Sequence, residues 1–131
     1  MFARALSWCR TLAVLGLLCV TGFAAAFDYD DLVELIETRQ LTSIEQVLAH
    51  LPKEYKENFT LAFNSRSLHG SSMEAPRVIL FGRTGTLVLT FNGAAEQEKY
   101  QELEIVQFRE ESGQFEMRSI AFDDGVSFSE G

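Results

Sequence analysis

"RVILFGRTGTLVLTFNG", residues 77–93, decides the fold. Two apolar runs flank Gly82-Arg83-Thr84-Gly85, a short polar link with a glycine at each end, and together they read as a β-hairpin. In the second run Leu87, Leu89 and Phe91 alternate with other residues, the period of two expected of a half-buried strand. Upstream, "FTLAFNSR" (59–66) repeats that period, with Phe59, Leu61 and Phe63 on one face and Thr60, Ala62 and Asn64 on the other. Downstream, "AAEQEKYQE" reads as a solvated loop, and "LEIVQFREESGQFEMRSIAFDD" as a long hairpin turning at Glu111-Ser112-Gly113. In both of its arms the apolar phase shifts: Leu103 and Ile105 give way to Val106 and Phe108, and Phe115 and Met117 to Ile120 and Phe122. A bulge or burial of both faces accounts for such a shift.

Before Phe59 the period is helical. In "FDYDDLVELIETRQ" Asp28 is placed to cap a first helix whose Leu32, Leu35 and Ile36 share a face. In "LTSIEQVLAHL" Ser43 and Gln46 have capping-box spacing, with Thr42 and Glu45 as the alternative pair, ahead of the stripe Ile44, Val47, Leu48 and Leu51. Pro52 ends this helix or starts a short separate turn, "PKEYKEN". Helices first and strands after predict an α+β class, with two N-terminal helices packed on one face of an antiparallel sheet of about five strands. The chain closes on "SFSEG" with no evident stopping device.

The first 26 residues read as an address. Arg4 and Arg10 flank no acid, a 13-residue apolar or small run follows from Thr11 to Phe23, and small residues at Ala24 and Ala26 favour cleavage before Phe27. The run is short for a bilayer span. The expected division is therefore a signal peptide over 1–26 and one domain over 27–131, exported to a periplasm or secreted. Cys9, Cys19 and Trp8 all fall in the leader, so the domain must be held by its core and not by disulfides. Nine of eleven phenylalanines remain to build it. Nine basic residues then face nineteen acidic ones, a net charge of −10. That balance argues against nucleic acid and anionic membrane surfaces as partners.

The most site-like stretch is "NSRSLHGSSMEAPR", 64–77, between two expected strands. Arg66 and Arg77 bracket it, and Ser65, Ser67 and His69 lie between them. A planar guanidinium fork and serine hydroxyls suit a carboxylate or another small anion. The competing reading pairs each arginine with an acid of this acidic chain. A serine hydrolase using Ser65 or Ser67 with His69 lacks a G-x-S-x-G elbow and an orienting third group. His50 suits the dipole at a helix C-terminus and has no metal-ligand spacing to another His or Cys. Glu96, Glu98, Glu102, Glu104, Glu110 and Glu111 read as solvated carboxylates. The glycines are turn glycines without a phosphate-cradling pattern, and Asn58 opens an N-F-T sequon.

The segments "LVELIETRQLTSIEQVLAHLP", "FNSRSLHGSSMEAPRVILFG", "LTFNG" and "LEIVQF…FEMRSIAFDD…FSEG" resemble an uncharacterised exported bacterial α+β domain over nearly all of residues 31–130. In some relatives of that domain the F-S-E region runs on into a C-x-x-C-H haem-attachment segment, from which this chain departs by ending at Gly131. The expectation is a small non-enzymatic binding domain without a cofactor, taking a protein or a small anionic ligand through Ser65, Arg66, Ser67, His69 and Arg77. The alternative is an accessory domain of a haem-dependent electron-transfer or sensing protein.

Overall fold

The computed structural model describes residues 26–63 and 71–130. Apart from Ala26, the expected leader lies outside the described residues. Three helices come first: α1 (Tyr29–Arg39), α2 (Ile44–His50) and α3 (Lys53–Glu57). Six strands follow: β1 (Phe59–Ala62), β2 (Arg77–Phe81), β3 (Leu87–Asn92), β4 (Glu102–Arg109), β5 (Gln114–Ala121) and β6 (Ser127–Glu130). They form one antiparallel sheet in chain order, each strand beside its sequence neighbours. The α+β class holds. Both element counts are corrected, since a third helix follows Pro52 and "SFSE" adds a sixth strand.

The helix starts follow local chemistry. Asp28 accepts from the Asp31 backbone N–H while the Asp31 carboxylate accepts from that of Asp28, a reciprocal capping box at 3.0 Å each way. Ser43 caps α2 by accepting from the Gln46 N–H, but the Gln46 amide oxygen reaches back to the Thr42 N–H, one residue before the cap. Pro52 occupies the N-cap position of α3, not its first helical turn. Helix α1 ends at Gln40, a non-glycine residue in the left-handed region (φ 54°), where the Leu41 N–H bonds back to the Ile36 carbonyl.

Cross-strand pairs share a face, so the register sorts every strand residue. Leu80, Leu89 and Ile105 form one inner row, and Leu103 and Ile120 belong to the next. Leu32, Ile36, Leu41, Ile44, Val47, Leu51 and Tyr55 pack on them from the helices. The expected bulge is absent from the β4–β5 hairpin, whose eight pairs from Glu102–Ala121 to Arg109–Gln114 run without a break. Val106, Phe108, Phe115 and Met117 are therefore the regular outward phase of straight strands. That phase is not buried either, because Phe115 and Met117 are exposed.

Helix α3 closes on the sheet through Tyr55. Its hydroxyl donates to the Phe27 and Leu87 carbonyls at 3.5 Å each, and its ring meets Phe27 edge-on at 5.6 Å between centroids. Gly82 leaves room for it: a Cβ there would sit 2.8 Å from the Tyr55 oxygen. At the other end of the inner face polar groups take over. Gln107 accepts from the Tyr29 backbone N–H, and the Arg118 guanidinium lies 4.3 Å over the Tyr29 ring while pairing with Glu116.

Candidate functional site

The helices cover one face of the sheet, and the register divides the other, outer face into two ends. At one end Arg77 pairs with Asn92, and Thr90 with Glu104 and then Ser119. At the other, Phe81, Val88, Val106 and Met117 make an unbroken apolar row across β2 to β5, with Phe108 and Phe115 paired beyond it. The polar end is the buried one.

Arg77 is 1% exposed. Its Nε donates to Thr90 Oγ1 at 2.8 Å, its Nη1 to Asn92 Oδ1 at 2.9 Å, and its Nη2 to the Glu104 carboxylate. A planar fork thus meets one partner on each donor nitrogen, all three on neighbouring strands. The segment from Ser71 to Pro76 and the loop from Gly93 to Gln101 roof this cluster. The Asn92 amide donates to the Glu98 carbonyl, and the Gln97 amide donates to the Ala75 carbonyl at 2.9 Å. The loop that read as merely solvated is part of the burial of Arg77.

These contacts bear on the residues singled out in the sequence. Ser65, Arg66, Ser67 and His69 lie outside the described residues. Arg77 does not project from a recognition loop; it opens β2 with its side chain inside, and its guanidinium is taken up by internal partners. Glu104 is corrected in the same way, from a solvated carboxylate to the counter-charge of a buried arginine. Lys99 reaches toward both Glu102 (3.1 Å) and Glu104 (3.9 Å), extending the pair to the surface.

Where the roof stops, no layer of described residues covers the outer face. Phe115 is 68% exposed and Met117 64%. The Phe108 and Phe115 rings lie 5.1 Å apart, tilted by 54°, so this end of the hairpin has a fixed aromatic surface. Beside it lies an open cavity of about 350 Å³, lined by Val106 and Met117 with Lys99, Glu102, Glu104 and Ser119 at its edge. An apolar floor with a charged and hydroxyl-bearing rim is the usual build of a docking patch. Tyr55, whose phenol burial pushes up to about 12, is on the opposite face among core side chains.

Other places offer less. His50 hydrogen-bonds through Nδ1 with the Gln46 carbonyl at 2.8 Å, at the exposed C-terminal end of α2. Among the described residues no group of three His, Cys, Asp or Glu side chains stands together as a metal site. No described helix is long and apolar enough to cross a membrane. A groove of about 500 Å³ between α1 and α3 is lined by Phe27, Asp31, Glu34 and Glu54 among others, but Asp31 there is committed to the α1 cap.

The sequence pattern held the signal for the outer patch, since Val106, Phe108, Phe115 and Met117 stood in the wrong phase for the core. That signal cannot say what lies against the patch. Comparison with known proteins adds nothing to the chain's own residues here: no protein-family model, no curated protein and no solved structure matches it.

Proposed function

We propose that this chain is a small exported interaction domain that acts by binding and not by catalysis, and that it holds a protein partner on the bare end of its outer sheet face. The observation that carries the reading is the exposure of Phe115 and Met117 at the end of a continuous apolar row. Sheets of this two-layer kind leave one face to water, and that face is then expected to be polar. Here the exposed end carries Phe81, Val88, Val106, Phe108, Phe115 and Met117, and the polar side chains are the ones under cover. Contiguous exposed apolar surface rimmed by polar groups marks interaction sites.

Arg77 supports the site from beneath. By fixing β2, β3 and β4 to one another it keeps the floor of the patch rigid, and the Lys99–Glu102–Glu104 group supplies a charged rim. A small anion is a poorer ligand for this surface than a protein, because the described cations that line the cavity are engaged, Lys99 by Glu102 and Glu104 and Arg118 by Glu116. The test is capture of partners from the exported fraction of the host, with the wild-type chain and a Phe115→Ser/Met117→Ser variant immobilised in parallel. A partner retained by the first and lost by the second, then titrated in purified form, is the expected result. The same captured set on both surfaces would sink the reading.

A further inference from the structure

The two edges of the sheet are built differently. Strand β6 is short and polar: Ser127 and Ser129 face outward, and Phe128 is followed by Glu130 on the inner side. Strand β1, at the opposite edge, continues as Phe59-Thr60-Leu61-Ala62-Phe63 without a charge, a proline or a glycine. Exposed edges normally carry one of those features to discourage pairing with another chain. The inner side of β1 is also largely exposed, with Phe59 at 57%, Leu61 at 46% and Phe63 at 49%.

The hydrogen-bond phase of this edge follows from its partner. The Phe81 N–H donates to the Asn58 carbonyl at 3.2 Å, and the register continues as Phe59–Leu80, Thr60–Ile79, Leu61–Val78 and Ala62–Arg77. Backbone groups alternate in direction along an antiparallel strand. Thr60 and Ala62 thus turn their N–H and C=O groups toward β2, and Phe59, Leu61 and Phe63 turn theirs outward.

We infer that β1 pairs with β1 of a second copy, antiparallel and about a two-fold axis at Leu61. The sequence is self-complementary about that residue. Phe59 meets Phe63 of the second copy, Leu61 meets Leu61, and Thr60 meets Ala62. The pairs Phe59–Phe63 and Leu61–Leu61 are the ones whose outward backbone groups exchange both hydrogen bonds, so side-chain pattern and backbone phase agree on one register. Six exposed apolar side chains, three from each copy, then share one side of a continuous twelve-stranded sheet, between the two helical layers. Because the contact is the same patch on both chains, the assembly closes as a dimer. Pairing β1 with β6 of another copy would set Glu130 against the apolar row and leave two edges open. The charge-free edge also suits association of an acidic chain, because the acid that precedes β1, Glu57, is four residues from Leu61, about 13 Å along a strand, and charges are screened beyond about 8 Å at physiological salt. An edge contact of this kind is smaller than an obligate interface, so the dimer exchanges with the monomer.

The reading is independent of the outer-face patch, and the experiment separates them. Sedimentation of the purified chain across a concentration series is expected to show the mass rising toward twice the monomer. Leu61→Lys, at an exposed position, is expected to abolish that rise while its melting curve matches that of the wild-type chain at dilute, monomeric concentration. With Cys9 and Cys19 replaced by serine, a nitroxide on Thr60→Cys is expected to show dipolar broadening, because strand geometry brings the two labelled Cα atoms within about 10 Å. A label on Ser129→Cys, at the β6 edge, stays sharp. A single-chain mass at every concentration overturns the inference. So does a dimer that survives Leu61→Lys, a dimer lost in Phe115→Ser/Met117→Ser but not in Leu61→Lys, or broadening at the β6 label in place of the β1 label.

Discussion

The two ends of the outer sheet face reverse the usual order of burial. At one end an arginine, an asparagine, a threonine and a glutamate lie under a roof of loops; at the other, three phenylalanines, two valines and a methionine line a face with no layer of described residues over it. The inner face keeps the ordinary order, with aliphatic rows under helices. The difference teaches that burial in this protein follows connectivity as much as hydropathy. Among the described residues the roof is made of the segment from Ser71 to Pro76, which leads into β2, and of the loop that joins β3 to β4, so it covers whatever stands at that end of the strands. The β2–β3 and β4–β5 turns are tight, closing at Gly82–Gly85 and around Gly113 (φ +66°), and add no cover of their own to the other end.

The strongest way to break the contrast is to remove the charge under the roof. Arg77→Ala is expected to cost roughly 3–5 kcal/mol, the range for removing one member of a buried ion pair. Asn92 and Thr90 lose their donor, and Glu104 loses the cation at its buried side. Urea midpoints read the loss. An apolar replacement of both partners, Arg77→Met with Glu104→Leu, is expected to cost much less than either single change, since no charge is then left uncompensated. If the double variant is as unstable as Arg77→Ala, the pair is not acting as a unit and the account of the polar end fails.

On the inner face, the helix-to-sheet closure has a pH signature. Burial, with smaller contributions from the nearby charges of Glu54 and Asp28, raises the Tyr55 phenol from its ordinary value near 10.0 to about 12. The folded state holds that proton more tightly than the unfolded chain does. Its contribution is whole below pH 10 and is lost as the pH rises from there through about 12. The two-unit difference amounts to about 2–3 kcal/mol over that window. Tyr55→Phe is expected to remove this alkaline slope at little cost near neutrality, since the two bonds it gives up are long, at 3.5 Å. Melting temperatures across the alkaline range, compared for the two proteins, check it; parallel curves would refute it.

Gly82→Ala attacks the same closure by volume. Its Cβ would stand 2.8 Å from the Tyr55 oxygen and 3.0 Å from the ring carbon bearing it. Overpacking of this sort costs roughly 1–3 kcal/mol. In a Tyr55→Phe background the nearest atom is gone and the penalty is expected to fall, though the ring itself still crowds the site. A penalty unchanged by that background would mean Gly82 is required for something other than the hydroxyl.

Much of this arrangement is legible in the sequence. The hairpin turns, the Asp28 and Ser43 caps and the alternating core residues each rest on contacts within a few positions of one another. Strand β6 was not legible, because one phenylalanine among serines carries no alternation and its pairing comes from β5. Arg77 was half legible. Its partners Thr90, Asn92 and Glu104 lie 13, 15 and 27 residues away, and only the register of two successive hairpins brings them together. The outer row is visible in the sequence as a second apolar phase, which a bulge or a doubly buried strand would also produce. Pattern alone records that a side chain is apolar; what covers it depends on where the connecting segments run.

The bare end supplies the smallest expected effect on stability and the sharpest contrast with Arg77. Phe115→Ser and Met117→Ser change side chains that are 68% and 64% exposed. The unfolding free energy from urea titration is expected to fall by no more than about 0.5 kcal/mol for Met117→Ser. For Phe115→Ser the expected fall is about 1 kcal/mol, since that change also gives up the ring pair with Phe108. Serine keeps the outward position and removes the apolar surface, so the solubility of the chain is expected to rise. A loss comparable to that of Arg77→Ala would mean that both side chains are buried in the folded protein in solution. Some part of this chain or of a second copy would then lie over them, and the surface proposed for a partner would already be occupied. Changes of the expected size leave the patch free for one. Stability therefore decides whether binding is worth measuring there, because a side chain already under cover has no surface left to offer.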